Sequence, residues 1–373
     1  MIHIFHHYDA DGYASAAVII RHYREIIARE GLEIKCYSCK HGNPMSFSGV
    51  DIDKDKVFIV DYSFTDPRDV ESVEDLVNSC MNNYKKIGFK DADINKINYL
   101  KKHIVWIDHH ASSQDLIDEH TNLRLLATAG CVHPENIYAG CMLTWLYLNC
   151  PGYKLKGKDL NAIKYYISEN CPIWVQFVDD YDKWAHKMDH SSDFVTGVNC
   201  TNGGLWNNFL NPDGSYATYV SKNADGITKK FIKRGKVINE YRKGENEKAL
   251  KGAGFATQII CDETILDVLA INKSGNSLIF GDYIKDVDAV ITYSFDGKLW
   301  NYSIFSYKTK EFPVNKVAEM YKERYGITGG GHQHAAGWAT EKCIFGWDDS
   351  ISNVMVPFKE WLKRKEESDK SLE

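Results

Sequence analysis

The sequence predicts an α/β protein: an N-terminal domain built on a parallel sheet, joined by a helical linker to a smaller α/β domain with a mixed sheet. Three observations carry this expectation. Short β-branched and aromatic runs at residues 1–5, 57–60 and 104–107 alternate with helical stretches, the pattern of parallel strands buried on both faces. Beyond residue 252 the chain changes to closely spaced strands, two of them separated by the hairpin signal Asp296-Gly297. Between the two patterns lies a long basic helical segment.

The elements follow in order. After the first run, ending at HHYDADG, the apolar positions Tyr13, Ala16, Ala17, Ile20, Tyr23 and Ile27 recur at helical spacing until Gly31. Residues 66–103 are helical and Lys-rich, as a crossover between the second and third strands requires. Ile137, Met142, Trp145 and Leu146 give a buried face to a helix over 136–149. Another helix is expected over 170–184, with Asn170 as its cap and Pro172 in its first turn. Residues 190–220, rich in Ser, Asn and Gly, read as a boundary region, and a basic helix follows over 225–250. Strands at 256–261, 265–271, 287–293 and 300–305 precede a short helix at 314–325, which feeds Gly329-Gly330-Gly331-His332. The resulting division is 1–190 for the catalytic domain, 191–252 for boundary and linker helix, 253–345 for the second domain and 346–373 for a helical charged tail.

At 373 residues with 44% hydrophobic content, the chain can bury real cores in more than one domain. No apolar run approaches the roughly 18 residues of a membrane span, and the N-terminus begins with a strand instead of a signal peptide. The ten cysteines are scattered, which suits reduced thiols, and the expected compartment is cytoplasmic. The pair Cys36 and Cys39 has no second pair at zinc-finger spacing, so it argues weakly for zinc. Net charge is −6, yet residues 222–251 hold ten Lys/Arg against four acids, a local +6. That stretch reads either as a solvated helix face or as a basic wall beside an anionic substrate path.

Chemistry is concentrated where the three N-terminal strands stop. Asp9 and Asp11 follow the first, Asp61 the second, and Asp108, His109 and His110 the third. A lone Asp after a strand is ordinarily a turn or cap residue. Open α/β sheets, however, gather their chemistry at the carboxyl ends of their strands, and three strands ending alike point to one crevice. Imidazole and carboxylate without thiolate suit manganese, cobalt, iron or zinc, and six or seven such ligands are too many for one ion. Two ions about 3.5 to 4 Å apart, bridged by a carboxylate, clamp the attacking and leaving oxygens at phosphorus. Asp61 is the expected bridge, and Asp179-Asp180-Tyr181-Asp182 adds a further acidic cluster at the end of a helix.

In HHYDADG, VDYSF, IDHH, VDDYDKW and GGGHQHAAG, in this order and spacing, the chain resembles the DHH phosphoesterase family with its C-terminal DHH-associated domain. The likeness covers roughly residues 1–345 and is greatest to the oligoribonuclease (nanoRNase) branch. It implies metal-dependent phosphodiester hydrolysis: exonucleolytic degradation, 3′-5′ or 5′-3′, of short single-stranded oligonucleotides to mononucleotides, with two divalent ions, manganese foremost. A cyclic dinucleotide phosphodiesterase and a 3′-phosphoadenosine 5′-phosphate phosphatase are the alternative activities of the same scaffold. A catalytically silent nucleotide-binding protein is the alternative of another class.

Residue by residue, the resemblance implies Asp9 on the first metal, Asp11 and His109 on the second, Asp61 on both and His110 on the substrate phosphate. It puts Asp180, ahead of Asp179 and Asp182, on the second metal. Gly329, Gly330, Gly331 and His332 would grip the substrate through backbone amides and the imidazole. Many relatives carry the first-metal histidine four residues before the first Asp, where this chain has Phe5. Of His6 and His7, His7 shares a strand face with Asp9 and is the expected substitute. Tyr62, Phe64 and Trp184 are candidates for base stacking. No membrane partner is expected, and the chain is compatible with a homo-oligomer.

Overall fold

The computed structural model describes residues 1–41, 43–64, 66–87, 92–133, 137–150, 160–200, 226–307 and 309–372, in two units that divide between Ile238 and Asn239. In the first unit, β1 (Ile2–His7), β2 (Ile34–Cys39), β3 (Lys56–Val60), β4 (Ile104–Asp108) and β5 (Cys131–Val132) pair in parallel in the order β2-β1-β3-β4-β5. Strands β2 and β5 escape the sequence reading because β2 is largely exposed and β5 has two residues. The central strands carry apolar residues on both faces because each faces a core on both sides. Ile4, Phe58, Val60, Val105 and Ile107 point to one layer, with α1 (Ala10–Glu30), α6 (Gly140–Asn149), α7 (Leu160–Asn170), α8 (Ile173–Asp182) and α9 (Ser191–Asn199). Phe5, Val57, Ile59, Ile104 and Trp106 point to the other, with α2 (Pro67–Lys86), α3 (Asp93–His103), α4 (Ser113–Glu119) and α5 (Thr121–Ala129). Each such side chain contributes about 1.5 to 3 kcal/mol by leaving water.

This strand order places a topological switch between β1 and β3, since the connections from β1 to β2 and from β2 to β3 run to opposite sides of β1. Connections diverging there leave a crevice beyond the strands' carboxyl ends.

Several local expectations change. Asn170 ends α7, donating Nδ2–H to the Tyr166 carbonyl, and Pro172 stands just before α8 in its place. Residues 191–199 form α9 despite their polar content, because Phe194, Val195 and Val198 bury one face. Residues 201–225 of the expected boundary region lie outside the described residues. Helix α10 (Gly226–Ala253) is the basic helix, and it runs through the division between units.

The second unit is a seven-stranded mixed sheet ordered β10-β11-β9-β8-β7-β6-β12. Its strands are β6 (Gly254–Cys261), β7 (Thr264–Asn272), β8 (Ala289–Phe295), β9 (Trp300–Phe305), β10 (Gly329–His332), β11 (Ala335–Thr340) and β12 (Val356–Pro357). Only β7 and β8 pair in parallel; Asp296-Gly297 joins β8 and β9 as the expected hairpin. Helix α11 (Asn315–Tyr325) covers one sheet face through Val317, Ala318 and Tyr321. The charged tail forms α12 (Phe358–Leu372), which adds Phe358, Trp361 and Leu362 to the core of the other face. The tail is thus part of the second unit.

Candidate metal centre

The crevice is assembled from the two ends that meet there: strand carboxyl ends and helix amino ends. Asp9 caps α1, its Oδ1 accepting the Gly12 amide at 2.8 Å, and its Oδ2 lies 2.9 Å from His7 Nδ1. The helix can start this close to β1 because residue 12 is glycine; a Cβ there would meet the His7 carbonyl oxygen at 2.2 Å. Asp11, one position into α1, is buried and accepts the Gly140 and Cys141 amides at 2.6 and 2.8 Å. Those are the first amides of α6, so Asp11 accepts from the amino end of that helix. Asp61 follows β3 with φ at 55°, a left-handed conformation uncommon outside glycine, which marks a position whose geometry is imposed by its surroundings.

Asp61 is the centre of the cluster. His109 Nε2 stands 3.2 Å from its Oδ1, His110 Nδ1 4.0 Å from the same oxygen, and His7 Nδ1 3.8 Å from its Oδ2. His109 Nε2 is also 3.6 Å from Asp11 Oδ2 and 3.6 Å from Asp182 Oδ2. Three triads have ligand atoms within 4.8 Å of one another: His7 with Asp9 and Asp61, Asp11 with His109 and Asp182, and Asp61 with His109 and His110. Neither Asp61 oxygen accepts a hydrogen bond although both are buried, and His7 Nδ1 is likewise without an aligned partner. Beyond the His7–Asp9 pair, these atoms converge on shared points without aligned hydrogen bonds to one another. Buried acceptors in that state fit a cation.

The charges respond accordingly. Burial first, then Asp11 and Asp9, push the Asp61 carboxyl well above the usual range. The same causes, burial and then Asp11, carry Asp182 up to about 7. Burial opposes the charge on Asp9 as well, but the His7 ring and the Gly12 amide hold it down at about 2. Burial disfavours a charged His110, yet Asp108, accepting from its Nδ1 at 2.7 Å, raises it to about 9. Asp108 also accepts from Ser113 Oγ, so it orients His110 and is not itself in the cluster.

The expected residues His7, Asp9, Asp11, Asp61, His109 and His110 are therefore brought together. His6 turns away, packing against Tyr13 with its Nδ1 2.8 Å from the His7 carbonyl, and Phe5 joins the core against Tyr37 and Phe47. Asp180 is not brought in. Its two oxygens accept the Lys187 and Met188 amides at 2.8 and 3.2 Å, and Asp182, two residues on, stands in the cluster in its place. Asp179 caps Ala139 at 2.8 Å while pairing with Lys183 at 2.8 Å, fixing the start of α6. Tyr62 and Phe64 are fully buried, which removes them as stacking surfaces. Gly329, Gly330 and Gly331 belong to strand β10 of the second unit, with φ near 150° at the latter two; the His332 side chain lies outside the described residues.

Two residues that the sequence reading passed over also shape the site. Gly140 packs so tightly that a Cβ would meet Asp61 Cβ at 2.7 Å, and Asp11 Oδ2 and Asp61 Oδ1 at 3.0 Å. Its one signal in the sequence is the small pair Ala139-Gly140 opening an apolar run. His41, beyond β2, stacks on Tyr62 at 4.9 Å with its ring 5.1 Å from His7.

No family model matches the chain, and no curated protein does. Solved structures do, among them the DHH domain of a member of the s1p family of ribosomal proteins (14% identity, 91% of this chain and 83% of that one, TM-score 0.44). The pGpG-specific phosphodiesterase PggH from Vibrio cholerae matches at 10% identity over 91% of this chain and 94% of that one, TM-score 0.44. RecJ from Thermus thermophilus, in complex with Mn²⁺, matches at 13% identity over 92% of this chain but 50% of its own length, TM-score 0.46. What the site can do chemically follows from its own geometry. Among the described residues, no helix is long and apolar enough to cross a membrane.

Proposed function

We propose that this chain is a DHH phosphoesterase that hydrolyses phosphodiesters with two divalent ions, manganese foremost, and that its substrates are short single-stranded oligonucleotides degraded from one end. One observation carries the reading: Asp61 is buried with both oxygens unsatisfied, at the point where two His/Asp triads meet. His7, Asp9 and Asp61 would hold the first ion, and Asp11, Asp61, His109 and Asp182 the second. When bound, such ions polarise phosphoryl oxygens and lower the pKa of a water to near 7.

The remaining work falls to the chain. The Asp108 carboxylate accepts from His110 Nδ1, which fixes the ring and leaves Nε2 for a phosphate oxygen. The α6 amides fix the Asp11 carboxylate in place without adding a competing cation. The His-Tyr-Asp-Ala-Asp-Gly form of the first motif, in a two-domain chain of this length, supports the short-oligonucleotide substrate class, with Gly329, Gly330, Gly331 and His332 proposed as its grip.

Incubating the purified chain with manganese and two- to ten-nucleotide single strands tests this. Mononucleotides should be released stepwise, fastest from di- to pentanucleotides, and a chelator should abolish the reaction. Full activity after exhaustive chelation would overturn the metal reading. Internal cuts in a circular strand would overturn the exonucleolytic one, and preference for a cyclic dinucleotide over its linear form would replace the substrate class.

A further inference from the structure

The first unit contains a cavity of about 820 Å³ away from the metal cluster. It opens against α1 around Arg21 and Arg24, about 15 Å along the helix axis from Asp11 at 1.5 Å per residue. Its floor is aromatic: Trp174 and Trp145 are buried and Tyr166 is half-buried. Its wall is cationic. Arg21 is half-buried and Arg24 exposed, one helical turn apart, and Arg24 makes no ion pair or hydrogen bond among the described residues. Glu25 and the amides of Asn149 and Asn170 complete the polar rim, with Glu25 the one carboxylate among the described lining residues.

Each part of this lining recognises a different part of one ligand class. Two guanidiniums a turn apart offer donors to a phosphate, which a hydrocarbon ligand would leave unused. The half-buried Tyr166 ring offers a face to a planar base, beside the edges of the buried Trp145 and Trp174, which a bare anion would leave unused. The volume lies within the roughly 300 to 1,000 Å³ of small-molecule sites. Burial, and then the charge of Arg24, lower the pKa of Arg21, and an anion between the two guanidiniums would relieve the second of these.

We propose that this cavity is a second binding site, for a nucleoside monophosphate, and that it works without metal. Three of the four helices that line it carry metal-centre residues at their other ends; the fourth, α7, supplies Tyr166 and Asn170. Helix α1 bears Arg21 and Arg24 here and Asp11 there; α6 bears Trp145 and Asn149 here and Gly140 there; α8 bears Trp174 here and Asp182 there. The two sites are therefore opposite ends of one helical layer, far enough apart to be tested separately.

The test is calorimetric titration of the full chain in excess chelator with adenosine monophosphate, adenosine and inorganic phosphate, following tryptophan fluorescence in parallel. One nucleotide per chain should bind saturably, quench the indoles, and bind at least about tenfold tighter than adenosine or phosphate alone. Arg24→Ala, an exposed change that leaves the core untouched, should weaken it about tenfold or more, and Asp61→Asn should leave it unchanged. Absence of saturable binding, equal affinity for adenosine and its monophosphate, or an unaffected Arg24→Ala would each overturn the proposal. Loss of binding in Asp61→Asn would assign the nucleotide to the metal centre and overturn it as well.

Discussion

Asp61 and Asp69 lie eight residues apart in the same unit, both buried, with opposite hydrogen-bonding surroundings. Asp69 accepts the Met45 amide at 2.6 Å on one oxygen and the Tyr62 hydroxyl at 3.0 Å on the other. Asp61 accepts no hydrogen bond on either oxygen and faces three histidine rings within 4.0 Å. The fold has removed both carboxylates from water, but it has supplied neutral donors to one and withheld them from the other. A carboxylate left so can be balanced only by a proton or a cation. Asp180 and Asp182 repeat the contrast on α8, the first held by two loop amides and the second gathered with Asp11 and His109.

Removing each member of these pairs should separate the two states. Asp61→Ala should lower manganese-dependent turnover by more than about a hundredfold, since even changes to residues behind metal ligands cost about 10- to 100-fold. Asp69→Ala should leave turnover per folded molecule intact and cost about 1 to 3 kcal/mol in urea unfolding, because Met45 N–H and Tyr62 Oη lose their acceptor. Comparable activity loss in both variants would erase the distinction. Next in size, Gly140→Ala forces a Cβ against Asp61 and Asp11. It should weaken manganese binding about 10- to 100-fold with an unchanged circular dichroism spectrum; wild-type affinity would show that the helix end can retreat freely. Third, in metal-free protein, Asp180→Ala should destabilise by about 1 to 3 kcal/mol through its two orphaned amides. Asp182→Ala should instead stabilise, by relieving repulsion. A destabilised Asp182→Ala would mean that its carboxylate is structural.

The smallest effect is on pH dependence. Burial and Asp11 hold Asp182 up at about 7, against about 3.9 for an unfolded aspartate. Across that window the native state keeps a proton that the unfolded state releases, so metal-free stability should fall as pH rises from about 4 to 7. Asp61 acts in the same direction. His110, raised to about 9, contributes stability that is full below about 6.5 and lost between there and 9. Asp9 and Asp108, both lowered, matter only below about pH 4. Urea midpoints without metal should therefore decline from pH 5 to 8, and manganese should reverse the decline. A midpoint that rises over this range would contradict the assignment of strained carboxylates.

The strands were legible because their apolar runs are continuous, and so were the acids and histidines that end them, because strand ends and chemistry coincide in such sheets. His7 over His6 followed from strand alternation, and the structure turns His6 toward Tyr13. The choice among Asp179, Asp180 and Asp182 was not legible. All three sit within one helical turn, and which carboxylate meets His109 depends on how the chain leaves α8 through Trp184 and His186, both in left-handed conformations. Gly140 was hidden for a similar reason: its role lies in a contact with Asp61, far off in sequence. Helix α9 was missed because polar composition outweighed the burial of Phe194, Val195 and Val198.

Calorimetric titration of the chelator-stripped full chain with manganese tests the central claim most directly. The account predicts two ions per chain for the wild type, two for Asp69→Ala and Asp180→Ala, one for Asp182→Ala, and the loss of both high-affinity sites in Asp61→Ala. A single ion in the wild type, or an Asp61→Ala variant that still binds two with unchanged affinity, would contradict it.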